Sequence, residues 1–214
     1  MNVHSASKGS AASSEKGRAI IEAMLEVVAD CGFHGAPMAL VADRAAVGAG
    51  TIYRYFAGKE ALIAACYASV EARVLGAVRE GYPEGGTIRE RLMHVTTRML
   101  RHFIDRPSDY RFVQQFHDSP YGAEHRRERM FGDEDRNFIR HLFDEGREGG
   151  ILKDLPLPIL FGLTFGPVVT ICRDHHLGFV TLDERLIAAT AGACWDASRR
   201  HACERPDEPS PEGT

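Results

Sequence analysis

The sequence predicts an all-α protein of about nine helices. Three observations lead there. Apolar residues recur at three- and four-residue steps along most of the chain, no segment sustains the alternation of a strand, and Gly, Pro and capping residues punctuate the helical runs.

The first helix is expected over Glu15–Cys31, where Ile20, Ile21, Met24, Leu25, Val28 and Cys31 form one stripe. Ser14 stands at the N-cap position, where a short side-chain oxygen accepts from a free N–H of the first turn, and Gly32 stands at the stop. Two short helices follow over residues 38–45 and 49–55, then a longer one from Lys59 carrying Leu62, Cys66, Val70, Val74 and Ala77. Gly81-Tyr82-Pro83 and Glu84-Gly85-Gly86 make the clearest break in the chain. Thr87 and Glu90 have capping-box spacing and open a helix with Leu92, Val95, Thr96, Met99, Leu100 and Phe103, closed by Pro107.

A helix after Ser108 shows Tyr110, Phe112, Val113 and Phe116. A charged helix over residues 124–148 turns Phe131, Phe138, Ile139, Leu142 and Phe143 inward and stops at Gly149-Gly150. An almost wholly apolar helix follows Pro156, with Gly166-Pro167 set to kink it. Thr181 and Glu184 repeat the capping-box spacing and open a last helix, rich in Ala and Gly, through about Ala202.

Composition narrows the function classes. With 214 residues, 44% apolar and 26% charged, the chain reads as an ordinary soluble protein. Cys31, Cys66, Cys172, Cys194 and Cys203 are scattered and never in a CxxC pair, which argues against a disulfide framework or structural zinc and fits a reducing cytoplasm. The N-terminal stretch has no apolar run after its basic residues and so is no secretory signal. Residues 155–172 are uncharged but contain Pro156, Pro158, Pro167, Gly162 and Gly166, so a buried helix is expected rather than a membrane span. No hydrolase, metalloprotease, phosphate-loop or dinucleotide motif occurs, and the ten histidines, His175-His176 included, lack metal-ligand spacing. The expectation is a non-enzyme with no catalytic residues, metal or cofactor.

A net charge of -4 excludes a general polycation. Residues 1–60 hold six basic side chains (Lys8, Lys16, Arg18, Arg44, Arg54, Lys59) and six acidic ones, leaving 20 and 24 beyond. Any nucleic-acid binding there must come from the placement of charge.

Residues 32–60, GFHGAPMALVADRAAVGAGTIYRYFAGKE, carry the strongest signal. A helix-turn-helix needs two short crossed helices locked by small and apolar residues, and Val41, Ala42, Ala45, Val47 and Ile52 meet that need. Ala49, Gly50, Thr51, Tyr53 and Arg54 remain outward, a small, polar and cationic face suited to a major groove. Through Gly32-Phe33, Val41-Ala42, Ala45-Ala46-Val47, the GTIYRYF run at 50–56 and KEAL at 59–62, the segment resembles the tetracycline-repressor (TetR) family of regulators. Two positions depart from the family pattern: Ala46 replaces the glycine of the turn, and Gly48 replaces the capping serine or threonine. A positive φ at Ala46 would add strain.

The resemblance implies that Thr51, Tyr53 and Tyr55 meet phosphates or base edges and that Lys59 clamps a phosphate. Arg54 has the fork that matches guanine O6 and N7. Ala39, Ala49 and Gly50 offer no hydrogen-bonding side chains, so much of the selectivity is expected from thymine methyl groups and DNA shape.

The family's second half implies a helical domain that binds a small effector and dimerises. Candidate pocket residues are Met99, Phe103, Tyr110, Phe112, Phe116, Phe131, Phe138, Phe161 and Phe165, and core packing explains most of them equally well. The apolar helix after Pro156 and the last helix, with Ala188, Ala189, Ala191, Gly192, Ala193 and Ala197, suit an intermolecular four-helix bundle.

The expected organisation is an arm at 1–13, a reading domain at 14–58, a ligand-binding and dimerisation domain at 59–203 and a tail at 204–214. The expected function is a cytoplasmic, ligand-responsive repressor. It would bind a palindromic operator in double-stranded DNA as a homodimer and be released by a small, largely apolar effector. The alternatives are an activator, or a helical protein-interaction scaffold retaining the same helix-turn-helix.

Overall fold

The computed structural model describes residues 14–123, 125 and 138–200. The expected arm and tail, Phe131 and most of the first half of the helix expected at 124–148 lie outside the described residues. Among the described residues the chain is helical, with a single isolated bridge between Leu152 and Arg199. The helices are α1 (Glu15–Cys31), α2 (Met38–Arg44), α3 (Ala49–Tyr55), α4 (Lys59–Arg79), α5 (Ile88–Asp105), α6 (Pro107–His117), α7 (Phe138–Glu148), α8 (Leu157–His176) and α9 (Glu184–Ser198). Residues 120–123 are also helical.

The starts and stops follow local chemistry. Ser14 Oγ accepts from Gly17 N–H at 3.0 Å, and Gly32 ends α1 at φ 73°, a value that favours glycine. Thr87 and Glu90 close the expected capping box: Glu90 Oε2 accepts from Thr87 N–H at 2.8 Å, and Thr87 Oγ1 accepts from Glu90 N–H at 3.2 Å. At α9 the cap is not Thr181. Asp183 caps α9 instead, its Oδ1 accepting from Leu186 N–H at 2.7 Å, because a carboxylate immediately before the helix reaches the first turn directly. Pro107 occupies the first turn of α6, where its missing N–H costs nothing.

Two compact units result, and they do not follow chain order. Of the described residues, one combines 14–80 with 101–123 and 125, and the other combines 81–100 with 138–200. In the first unit α1 supplies Ile20, Met24, Leu25, Val27 and Val28, all fully buried among Val41, Ile52, Leu62, Cys66, Val70 and Phe112. Each such side chain contributes about 1.5–3 kcal/mol of burial.

Helix α6 lies beside α1 and runs the same way. Near its start Asp109 shares Arg73 with Glu22 of α1, and six residues later Gln115 reaches the carbonyl of Val28.

In the second unit Phe143 of α7 meets Phe161 and Phe165 of α8 at ring-centroid distances of 4.8 and 5.8 Å. Helices α8 and α9 pack together, with a buried hydrogen bond of 2.7 Å between Thr164 and Ser198. Helix α8 continues through Pro167. Helices α4 and α8 are long and apolar enough to cross a membrane by length and composition. Leu62, Ile63, Cys66 and Val70 of α4 lie in the first unit's core, and Leu160, Thr164, Val168 and Cys172 of α8 are buried.

Candidate nucleic-acid interface

The first unit builds its outer face from α2 and α3. The turn between them is a Schellman motif: Val47 N–H donates to Ala42 O at 3.0 Å and Ala46 N–H to Asp43 O at 3.1 Å. The left-handed position falls on Ala46, φ 51°, the one positive-φ residue other than glycine among the described residues. The strain expected at Ala46 is therefore present.

Helix α3 is anchored by Ile52, fully buried, with Phe56 beyond its end. Ala49, Gly50, Tyr53 and Arg54 share its exposed face, Tyr53 at 56% exposure. Thr51 and Tyr55 are half-buried, and Tyr55 packs against the core. Ala39 is exposed on α2. Lys59, at the start of α4, is half-buried, and its Nζ donates to Phe33 O at 2.6 Å. That bond ties the turn after α1 to the base of α4 and leaves the ammonium two further donors. Arg44 is occupied within the protein: Glu26 and Asp30 of α1 accept from it at 3.0 and 3.2 Å and raise its pKa.

A second cluster lies outside every motif and spacing noted above. Asp109, fully buried at the start of α6, accepts from Arg73 Nε at 2.9 Å and Nη2 at 2.6 Å and from His102 Nε2 at 3.0 Å. Arg73 also donates to Glu22 of α1 at 2.8 Å. Burial alone would push the Asp109 carboxyl up, but the hydrogen bonds from His102 and Arg73 and their charges outweigh it and hold its pKa below the ordinary value. Burial opposes the Arg73 charge in the same way and is outweighed by Asp109 and Glu22. Glu22, Arg73, His102 and Asp109 come from four helices, so no local spacing could have grouped them.

The expected pocket residues are divided between the units. Phe103, Tyr110, Phe112 and Phe116 are buried in the first, and Phe112 and Phe116 belong to its core. Met99, Phe138, Phe161 and Phe165 are half-buried in the second. Phe138 meets Tyr82, and Phe161 and Phe165 meet Phe143. Phe116 also lines a cavity of about 340 Å³ beside α4, together with Glu60, Tyr67, Glu71, Tyr121 and His125. No group of three or more potential metal ligands occurs among the described residues.

With this geometry in view, residues 20–66 match the family described as bacterial regulatory proteins, tetR family, and residues 68–200 match the tetracyclin repressor-like C-terminal domain. The chain belongs to the tetR family. Its expected resemblance is thus borne out across both halves.

Among solved structures, a putative transcriptional regulator TetR family protein from Vibrio parahaemolyticus is 30% identical. The match covers 87% of this chain and 100% of that one, with a TM-score of 0.70. The transcriptional regulator FadR from Bacillus subtilis in complex with stearoyl-CoA shares the fold, at 20% identity, a TM-score of 0.64 and coverage of 84% and 95%. The fatty acid metabolism regulator protein of Bacillus subtilis (strain 168) is 32% identical over 79 residues, 37% of this chain. That match spans 41% of the relative's length. As a tetR-family member, the chain is a transcription regulator whose α2 and α3 form the family's helix-turn-helix.

Proposed function

We propose that this regulator binds a palindromic operator as a homodimer, represses transcription in the cytoplasm, and is released by a small amphipathic effector with a long apolar part. The observation that carries the reading is the two-sided character of α3. Ile52 locks one side into the core, while Ala49, Gly50, Tyr53 and Arg54 stand exposed together on the other. Thr51, Tyr55 and Lys59 flank that face as candidate phosphate contacts, and Ala39 adds a small apolar surface from α2.

Support for a dimer comes from the outer surfaces of α8 and α9. Ile159 is 49% exposed and is joined by exposed Gly162 and Gly166, with exposed Ala188, Ala189 and Ala193 on α9. Small residues let helix backbones approach closely, and two copies would bury these faces in one bundle. A two-fold dimer would place two reading heads on successive half-sites. The second unit's half-buried Met99, Phe138, Phe161 and Phe165 are suited to the apolar part of an effector. Stearoyl-CoA, bound by the similar FadR, has that amphipathic chemistry.

The test is a mobility-shift titration on duplexes selected from a random pool by the wild-type protein, with and without stearoyl-CoA. A palindromic consensus, two chains per duplex and weaker binding with the acyl thioester are expected. Failure to enrich any sequence would refute operator reading, and undiminished binding at saturating acyl thioester would refute that effector class. Arg54→Ala should relax preference at one position of each half-site, a change of about 1–3 kcal/mol.

A further inference from the structure

A trough runs along one face of α4. Glu60, Ala64, Tyr67 and Glu71 recur at steps of four, three and four residues, so helical geometry sets them on a single stripe. That stripe forms one side of the cavity of about 340 Å³, and Phe116 at the end of α6, with Tyr121 and His125 beyond it, forms the other. Ala64 and Ala68 are exposed, and their small side chains give the trough its depth. Its aromatic wall is preformed: Tyr67 stacks on Phe116 at 4.2 Å between ring centroids and meets the His125 ring at 4.3 Å. The volume lies within the range of small-ligand sites, about 300–1,000 Å³.

The charge of the trough is one-sided. Glu60 and Glu71 stand at its two ends, about 16 Å apart along the helix axis at about 1.5 Å per residue. The described residues that line it include neither Lys nor Arg. We propose that this trough binds a linear diamine, its methylene chain lying over Ala64 and Tyr67 and an ammonium group reaching a carboxylate at either end. Each ammonium donates charge-assisted hydrogen bonds to its glutamate. The chain between them leaves water for the surface of Tyr67 and Phe116. The charge preference is opposite to that of an acyl thioester of coenzyme A, whose phosphates would meet two like charges here. The site also lies wholly within the first unit, apart from Met99, Phe138, Phe161 and Phe165 of the second. It is therefore a second small-molecule site, separate from the one assigned to the effector.

Calorimetric titration of the full chain with 1,8-diaminooctane, octylamine, 1,8-octanediol and 1,4-diaminobutane tests this. The long diamine should bind at least fivefold more tightly than octylamine, which can satisfy only one end. The diol should show no binding up to about 1 mM. The short diamine should bind no better than octylamine, because it cannot reach both carboxylates. Glu60→Gln and Glu71→Gln should each bring the long diamine down to the affinity of octylamine. Ala64→Leu, at an exposed position, should fill the trough and abolish binding. Absence of binding by the long diamine at about 1 mM would overturn the proposal. So would equal affinity for the long diamine and octylamine, a short diamine that binds as tightly as the long one, or long-diamine affinity unchanged in either glutamine variant or in Ala64→Leu.

Discussion

Asp109→Asn tests whether the buried cluster holds α6 to α1 and α4. The substitution keeps the volume of a fully buried side chain but removes the charge that accepts two bonds from Arg73 and one from His102. The carboxamide turns an NH₂ toward groups that are themselves donors. Removing one partner of a buried pair costs about 3–5 kcal/mol. Arg73 retains Glu22 at 2.8 Å and 22% of its side-chain exposure, so the lower end, about 3 kcal/mol, applies. For a chain of this size that corresponds to a melting temperature lower by about 6–12 °C.

The pH dependence gives an independent check. Because the folded pKa of Asp109 lies below the ordinary value of 3.8, its contribution is present above 3.8 and is lost as pH falls through the lower folded value. Denaturant unfolding should show a constant gap between wild type and variant from pH 7 to about pH 5, closing in stronger acid. A variant melting within about 2 °C of wild type would refute the reasoning. So would a gap that persists undiminished below the folded pKa.

Ala46→Gly should stabilise the protein: relief of about 1–2 kcal/mol of left-handed strain exceeds the added chain entropy of about 0.5–1 kcal/mol, and calorimetry should show a melting temperature higher by about 1–4 °C. Lys59→Ala should weaken binding to all duplexes alike and reduce the salt slope by about one per chain, read from titrations at several ionic strengths. The same variant loses the bond to the Phe33 carbonyl, about 1 kcal/mol of stability. In a Cys203→Ser background, exposed Cys31 should react with a disulfide reagent in the native protein. Buried Cys66, Cys172 and Cys194 should react only on unfolding, since burial raises all three thiols, Cys172 to about 12 and Cys194 to about 11.

What was legible in the sequence was local. Ser14, Gly32, Thr87 and Glu90 act on backbone groups within a few residues, and Ile20, Met24 and Ile52 declare their buried side through helical spacing. The face of α3 is legible for the same reason: a buried residue on a short helix determines which neighbours point out. Thr181 misled because its spacing to Glu184 imitates a cap, while the nearer Asp183 carboxylate takes the backbone bond. The cluster around Asp109 and the bond from Gln115 to Val28 join residues 36 and 87 positions apart, where no periodicity operates. Aromatic spacing likewise could not separate Phe112 and Phe116, in the first unit's core, from Phe161 and Phe165 in the second.

The pairing of α6 with α1 limits how this regulator can be taken apart. A fragment ending at residue 58 would keep α1, α2 and α3 but lose Phe112, Phe116, Arg73 and Gln115, stripping cover from one flank of α1. A reading head grafted onto another sensor therefore needs three pieces from the same parent: the helix-turn-helix, the length of α4, and the return segment containing α6. Transplanting the first piece alone would move the letters of recognition without the spine that holds them in register.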